Sequence, residues 1–154
     1  MKLVNLPIAI VTLSFVFGAA AFAGGDVAAG QKVFNKCKSC HSISNGDEVI
    51  VKGGKVGPNL YGVVGRQAGT YEGFSYYDSI IAAGQAGLIW DEEKIAQWVQ
   101  NPKAFLKEYL NDPKAHSAMT FRERKGGVDV AAYLASVGPQ PEPEQPEKPV
   151  ELTN

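Results

Sequence analysis

Methionine, cysteine and histidine are scarce in this chain: 154 residues hold two of each. Net charge is almost absent too. It is formally −1 overall, and setting aside Lys2, Lys148 and the four glutamates after Pro139 leaves 13 Lys+Arg against 12 Asp+Glu. So small an excess excludes a nucleic-acid binder, which needs a strongly basic face. No internal repeat and no strand-like alternation of any length appears. The sequence therefore predicts an all-α domain, small and rich in loop.

Both ends read as something other than fold. Residues 1–23 carry Lys2, an apolar run and Ala21-Phe22-Ala23 before Gly24. That is the layout of a secretory signal peptide cleaved near Ala23. The rival reading is an uncleaved anchor, since Leu3 to Ala23 almost spans a bilayer; Asn5, Pro7, Thr12 and Ser14 weaken it. Residues 139–154, PQPEPEQPEKPVELTN, hold five of the nine prolines and few groups that bury surface. They predict an extended, acidic, solvated tail, most simply a spacer. Residues 24–138 form the domain, of ordinary size for a single core.

Within it, Asp26 to Lys36 reads as a capped helix with Val27, Gly30, Phe34 and Cys37 on one face. The dense glycines from Ser42 to Thr70 argue for loops rather than strands. Tyr76 to Ala83 predicts a short helix stopped by Gly84. Asp91 to Val99 predicts another, with its acids at the positive end of the dipole and Pro102 past its finish. Gly127 to Val137 predicts the last, burying Val128, Ala131, Leu134 and Val137. Few helices and long loops leave a thin core, which something besides side chains must help to fill.

The stretch Cys37-Lys38-Ser39-Cys40-His41 holds both thiols and one of the two imidazoles. Export predicts an oxidising compartment, where a bare pair of cysteines closes into a disulfide. A thiol–disulfide oxidoreductase uses Cys-x-x-Cys after a strand within a βαβ frame, and no strand pattern flanks this pair. A zinc site needs four ligands, and only His116 can be added to His41. The third reading is covalent haem attachment: two thioethers to the vinyl groups of one porphyrin edge, with the imidazole of the next residue on the iron. Two intervening residues let one turn of chain reach both vinyls, and tethering explains how the thiols survive export.

A low-spin iron wants a sixth ligand. Once Met1 leaves with the leader, Met119 is the remaining thioether and His116 the spare imidazole. A soft thioether suits a high-potential haem, which favours Met119 over His116.

The segments GDVAAGQKVFNKCKSCH, GPNLYGVVGRQAGTYEGFSYYDS, LIWDEEKIAQWVQNP and SAMTF, in this order, resemble the class I c-type cytochromes, in particular the larger bacterial soluble carriers. The resemblance covers Gly25 to Val137. It implies a small cytochrome c fold, with helices and long loops wrapped around one covalently bound haem c. It implies that the Pro58 carbonyl accepts a hydrogen bond from His41, and that Arg66, Tyr76 and Trp90 bind the haem propionates. It also implies that Gly30 and Phe34 cross the last helix near Tyr133. Trp98 departs from the pattern, standing where the family commonly has a tyrosine facing the methionine ligand. The segment Pro102 to Ser117 is longer than in the mitochondrial proteins and predicts an extra loop near the haem edge.

These readings together predict a monomeric periplasmic single-electron carrier and not an enzyme. The resemblance implies a cytochrome bc complex as donor, and a photosynthetic reaction centre, terminal oxidase or periplasmic reductase as acceptor. Basic residues bracket the attachment motif (Lys32, Lys36, Lys38, Lys52, Lys55) and Met119 (Lys103, Lys107, Lys114, Arg122, Arg124, Lys125). Jointly they predict a ring that steers acidic partners. A peroxidase-type haem enzyme with an exchangeable sixth site, and a carrier tethered by its leader, are the alternatives.

Overall fold

The computed structural model describes residues 24–139; the predicted leader and nearly all of the predicted tail lie outside them. Helix α1 (Val27–Phe34) begins where Asp26 Oδ1 accepts from the backbone N–H groups of Ala28 and Ala29 at 2.8 and 3.0 Å. Such a cap stabilises a helix by about 1 kcal/mol. Asp26 also donates its own N–H to Asp129 Oδ1, tying the start of α1 to the last helix. The helix is shorter than predicted: after Phe34 the chain tightens into successive turns that carry Cys37, Cys40 and His41.

Helix α2 (Asp78–Gln85) starts later than predicted and runs through Gly84 rather than stopping there. Gly84 faces the backbone of Ala68, where a Cβ would overlap the carbonyl. Its glycine serves a close approach and not a terminus. Helix α3 (Glu92–Gln100) is capped by Asp91, which accepts from Lys94 N at 2.7 Å, and it buries Ile95, Ala96 and Val99.

The segment predicted as an extra loop contains a helix, α4 (Pro102–Tyr109). Asn101 caps it by accepting from Ala104 N at 3.2 Å, and Pro102 occupies the first turn, where its missing N–H costs nothing. Asn111, at φ +48°, lies just past its end in the left-handed conformation that asparagine tolerates. Leu106 is fully buried, which contributes about 1.5–3 kcal/mol.

Helix α5 (Gly127–Ser136) is the floor on which α1 and α3 pack. Gly30 of α1 lets the two backbones meet at Asp129, and the rings of Phe34 and Tyr133 lie 5.6 Å apart, as the resemblance implied. The predicted buried stripe is corrected in part. Ala131 and Leu134 are buried, but Val128 faces solvent and Val130 takes the inward position. Contact with two helices turns more than one face of α5 inward.

A second correction concerns strands. Ile43–Asn45 (β1) and Glu48–Val51 (β2) form a small antiparallel hairpin where the glycine density predicted loops. Gly46, at φ +56°, makes the turn, and β-branched Ile43, Val49, Ile50 and Val51 supply the strand preference. The fold remains predominantly helical, with five helices and this one sheet among the described residues.

Candidate functional site

The turns after α1 fix the CKSCH segment. Cys40 and His41 both donate their N–H groups to the Cys37 carbonyl, at 3.0 Å each, so the imidazole sits one turn beyond the first thiol. The glycine-rich loop then lies flat against this turn. Gly54 N donates to Lys38 O at 2.9 Å and Gly57 N to Cys40 O at 2.8 Å. A Cβ on Gly57 would fall 2.6 Å from both His41 ring nitrogens, and one on Gly53 or Gly54 would overlap the carbonyls of His41 or Ser39. Glycine density here is more than a loop signal. It also marks backbone laid on backbone and on an imidazole face.

His41 Nδ1–H donates to the Pro58 carbonyl at 2.8 Å, as the resemblance implied. That bond fixes the tautomer and leaves the Nε2 lone pair free. Burial pushes the His41 pKa down, against the opposing pull of the Pro58 carbonyl, so the ring is neutral near pH 7. Asn59 holds the loop in place: its Oδ1 accepts from Ser44 N and Tyr61 N, and its Nδ2 donates to Ser44 O at 2.7 Å.

A second strap brings Arg66 to Trp90. Trp90 N donates to Arg66 O at 2.9 Å and Gly65 N to Trp90 O at 2.7 Å, beside a bridge between Gln67 and Ile89. The Arg66 guanidinium donates to the carbonyls of Asn59 and Tyr61, lies 4.9 Å from the Tyr71 ring centroid and lines the same cavity as Tyr76. The predicted trio of Arg66, Tyr76 and Trp90 is thus brought together.

Met119 lies between α4 and α5, with its backbone braced by the Ser117 hydroxyl. The Trp98 indole N–H donates to its sulfur at 3.2 Å. Around Trp98 the rings of Trp90, Phe105 and Tyr109 follow one another at centroid separations of 5.3 to 6.0 Å. Phe105 and Tyr109 come from the unpredicted α4. His116, the other candidate ligand, is exposed; its Nδ1 meets Ser79 Oγ at 3.3 Å and its ring stands edge-on to Tyr77.

Cys37, Cys40, His41, Pro58, Arg66, Tyr76, Trp90, Trp98, His116 and Met119 all line one cavity of about 660 Å³. That is in the size range of cofactor pockets, roughly 300–1,000 Å³. It is set against the buried core, which supplies apolar wall groups such as Phe34, Ile95, Leu106 and Leu134, with Leu60 packed beside them. A flat apolar macrocycle with two carboxylates and a metal fits this donor set: two thiols and a neutral imidazole on one segment, a thioether elsewhere, and a cation with hydroxyl and indole donors at one corner. Cys37 and Cys40 are half-buried and not joined. Burial pushes the Cys37 thiol up to about 11, the opposite of the activated thiolate an oxidoreductase pair needs. Among the described residues no three His, Cys, Asp or Glu side chains gather as a metal cluster, so the zinc reading has no site.

The basic residues divide. Lys36 lines the cavity but is bonded to Glu123 at 2.8 Å. Lys103 and Arg122 line a recess of about 140 Å³ that also includes Met119. Lys38, Lys52, Lys55, Lys114 and Lys125 are exposed and Lys107 half-buried; none lines the main cavity. Glu123 has no local signature in the sequence, because its partner lies 87 positions away. Among the described residues no helix is long and apolar enough to cross a membrane.

A family model of cytochrome c matches residues 27–138. The chain is 62% identical over 125 residues to cytochrome c2 of Rhodobacter capsulatus, covering 80% of this chain and 90% of that one. It is 58% identical over 129 residues to cytochrome c-551 of Roseobacter denitrificans, covering 82% and 92%. Among solved structures, cytochrome c2 of Rhodobacter capsulatus superposes with a TM-score of 0.72 at 63% identity, over 73% of this chain and 98% of that one. Ferric cytochrome c-550 of Paracoccus versutus gives 0.72 at 46%, over 75% and 99%. With the CKSCH turn, the braced imidazole and the apolar cavity, these matches have one conclusion: the chain belongs to the cytochrome c family, electron carriers built on a covalently bound haem c.

Proposed function

We propose that Cys37 and Cys40 tether the haem, that His41 Nε2 and the Met119 sulfur are its axial ligands, and that the exported protein shuttles single electrons between acidic partners. The carrying observation is that these four side chains, with His41 and Met119 78 residues apart, line one apolar cavity. When bound, the haem iron supplies the reversible one-electron chemistry.

The chain's own residues set the terms. Pro58 orients the His41 ring and raises its basicity. Met119 is favoured over His116 because its sulfur is half-buried and already receives the Trp98 donor, whereas His116 is exposed and bonded to Ser79. Arg66, Tyr76 and Trp90 receive the propionates, whose charge needs partners in so dry a corner. The apolar lining disfavours the extra positive charge of the oxidised state, and thioether ligation acts in the same direction, so the potential is positive.

Docking falls to Arg122, Lys38, Lys52, Lys55, Lys107, Lys114 and Lys125, none of which forms an ion pair among the described residues. They attract acidic surfaces in brief, salt-sensitive encounters. A cytochrome bc complex is the donor in this reading, and a reaction centre, terminal oxidase or periplasmic reductase the acceptor. The leader is removed near Ala23, and residues 139–154 act as a spacer. The test is an optical spectrum of the exported protein with the potential of Met119→His. Covalent haem, a weak long-wavelength sulfur-to-iron band and a markedly lower potential in the variant are expected. An unchanged potential removes Met119 from the iron.

A further inference from the structure

Behind Arg66 stands a ring, Tyr71, half-buried on the loop between Gly69 and Gly73. Both glycines take the left-handed conformation at φ +75°. A Cβ on Gly69 would fall 3.1 Å from Ile81 Cα, so the loop is seated on α2. The Tyr71 phenol oxygen accepts from Asn59 Nδ2 at 3.2 Å, and the ring centroid lies 4.9 Å from Arg66 Cζ. Asn59 is itself anchored on Ser44 through three further hydrogen bonds.

These contacts share a direction. Arg66 lines the cavity, whereas Asn59, Tyr61 and Tyr71, which hold it, do not. Two backbone carbonyls take N–H groups from the edge of the guanidinium, and the Tyr71 ring attracts the cation. A guanidinium held by its edge alone can still tilt; a ring lying under the charge opposes that tilt. We propose that Tyr71 is a positioning residue that, pinned by Asn59, keeps the Arg66 charge aimed into the cavity and so favours the reduced haem. The inference rests on the reading of Arg66 as a propionate partner. Asn59 directly follows Pro58, so the clamp stands on the same strap that orients His41.

The test is the midpoint potential of the exported holoprotein, read by redox titration. A cation near the haem opposes the extra positive charge of oxidation, so loosening it favours the oxidised form. Tyr71→Leu is expected to move the oxidised-to-reduced ratio about threefold toward the oxidised protein, a fall of about 28 mV at 59 mV per tenfold. Tyr71→Phe keeps the ring and should stay within about 1.5-fold of the parent. Arg66→Gln should produce a larger fall, and Tyr71→Leu added to it should lower stability without moving the potential again. If Tyr71→Leu does not fold, Tyr71→Ala carries the test. An unmoved potential in the Leu or Ala variant, beside a lowered one in Arg66→Gln, overturns the clamp alone. So does a fall in Tyr71→Phe equal to that in Tyr71→Leu, or an additive fall in the double variant. An unmoved potential in Arg66→Gln overturns the propionate reading of Arg66 and the clamp with it.

Discussion

The indole N–H of Trp98 points at the sulfur of Met119 across 3.2 Å. With Met119 on the iron as proposed, a donor there draws electron density from the thioether and weakens its support of the oxidised state more than of the reduced. Trp98→Phe keeps an aromatic ring and removes the donor. The midpoint potential should fall by on the order of 20–60 mV, taking about 0.5–1.5 kcal/mol for the bond and 59 mV per tenfold for one electron. Redox titration of the two proteins decides it; a potential that stays or rises means the bond does not tune the sulfur.

Gly57 touches the face of the His41 ring. Gly57→Ala forces either the imidazole or the loop to move, breaking register with the Pro58 carbonyl. Overpacking of this kind costs about 2–3 kcal/mol, measurable by denaturant unfolding of the holoprotein. Gly46→Ala, with open space around its Cβ but φ at +56°, should cost only about 1 kcal/mol. Equal losses at the two positions would dismiss the ring-contact argument.

Acid stability should also report Glu123. Its folded-state pKa is depressed, chiefly by Lys36. The stabilisation it supplies is therefore complete above the unfolded carboxylate value of about 4.3 and is lost as pH falls through the lower folded value. Glu123→Gln should lower stability near neutrality by about 1–2 kcal/mol and flatten the decline below about pH 4.3. Melting curves from pH 7 to pH 3 test this. A parallel offset at every pH would assign the loss to packing alone.

Charge reversal separates the basic residues. Arg122→Glu, in the recess beside Met119, should slow reaction with an acidic redox partner at low salt by about tenfold and reduce the salt dependence. Lys36→Gln should change neither by more than about twofold, since its charge is already met by Glu123. Stopped-flow rates across ionic strength would distinguish the two; identical behaviour would return Lys36 to the docking surface.

The readable parts of this protein were those with short-range chemistry. CKSCH, the Asp26 cap and the acids that open α3 each show within a few residues, and Trp98 stood out as a departure from a familiar pattern. Helix α4 was hidden between Pro102 and Pro113, although Asn101-Pro102 is a regular cap followed by a regular first turn. The hairpin was hidden because strands of three and four residues are too short for alternation to register among so many glycines. The Glu123–Lys36 ion pair and the strap pairing Gly65 and Arg66 with Trp90 depend on partners far away in sequence. No local pattern carries them.

The glycine loop over the CKSCH turn bears on how the protein is made. Once residues 53–57 have settled, backbone sits directly on the stretch that must be modified, and both sulfurs are half sheltered. With Cys37 and Cys40 as the proposed tethers, this gives biogenesis an order: the ring is stitched on while this part of the chain is still open. The finished shell is wrapped around its cargo, not loaded afterwards.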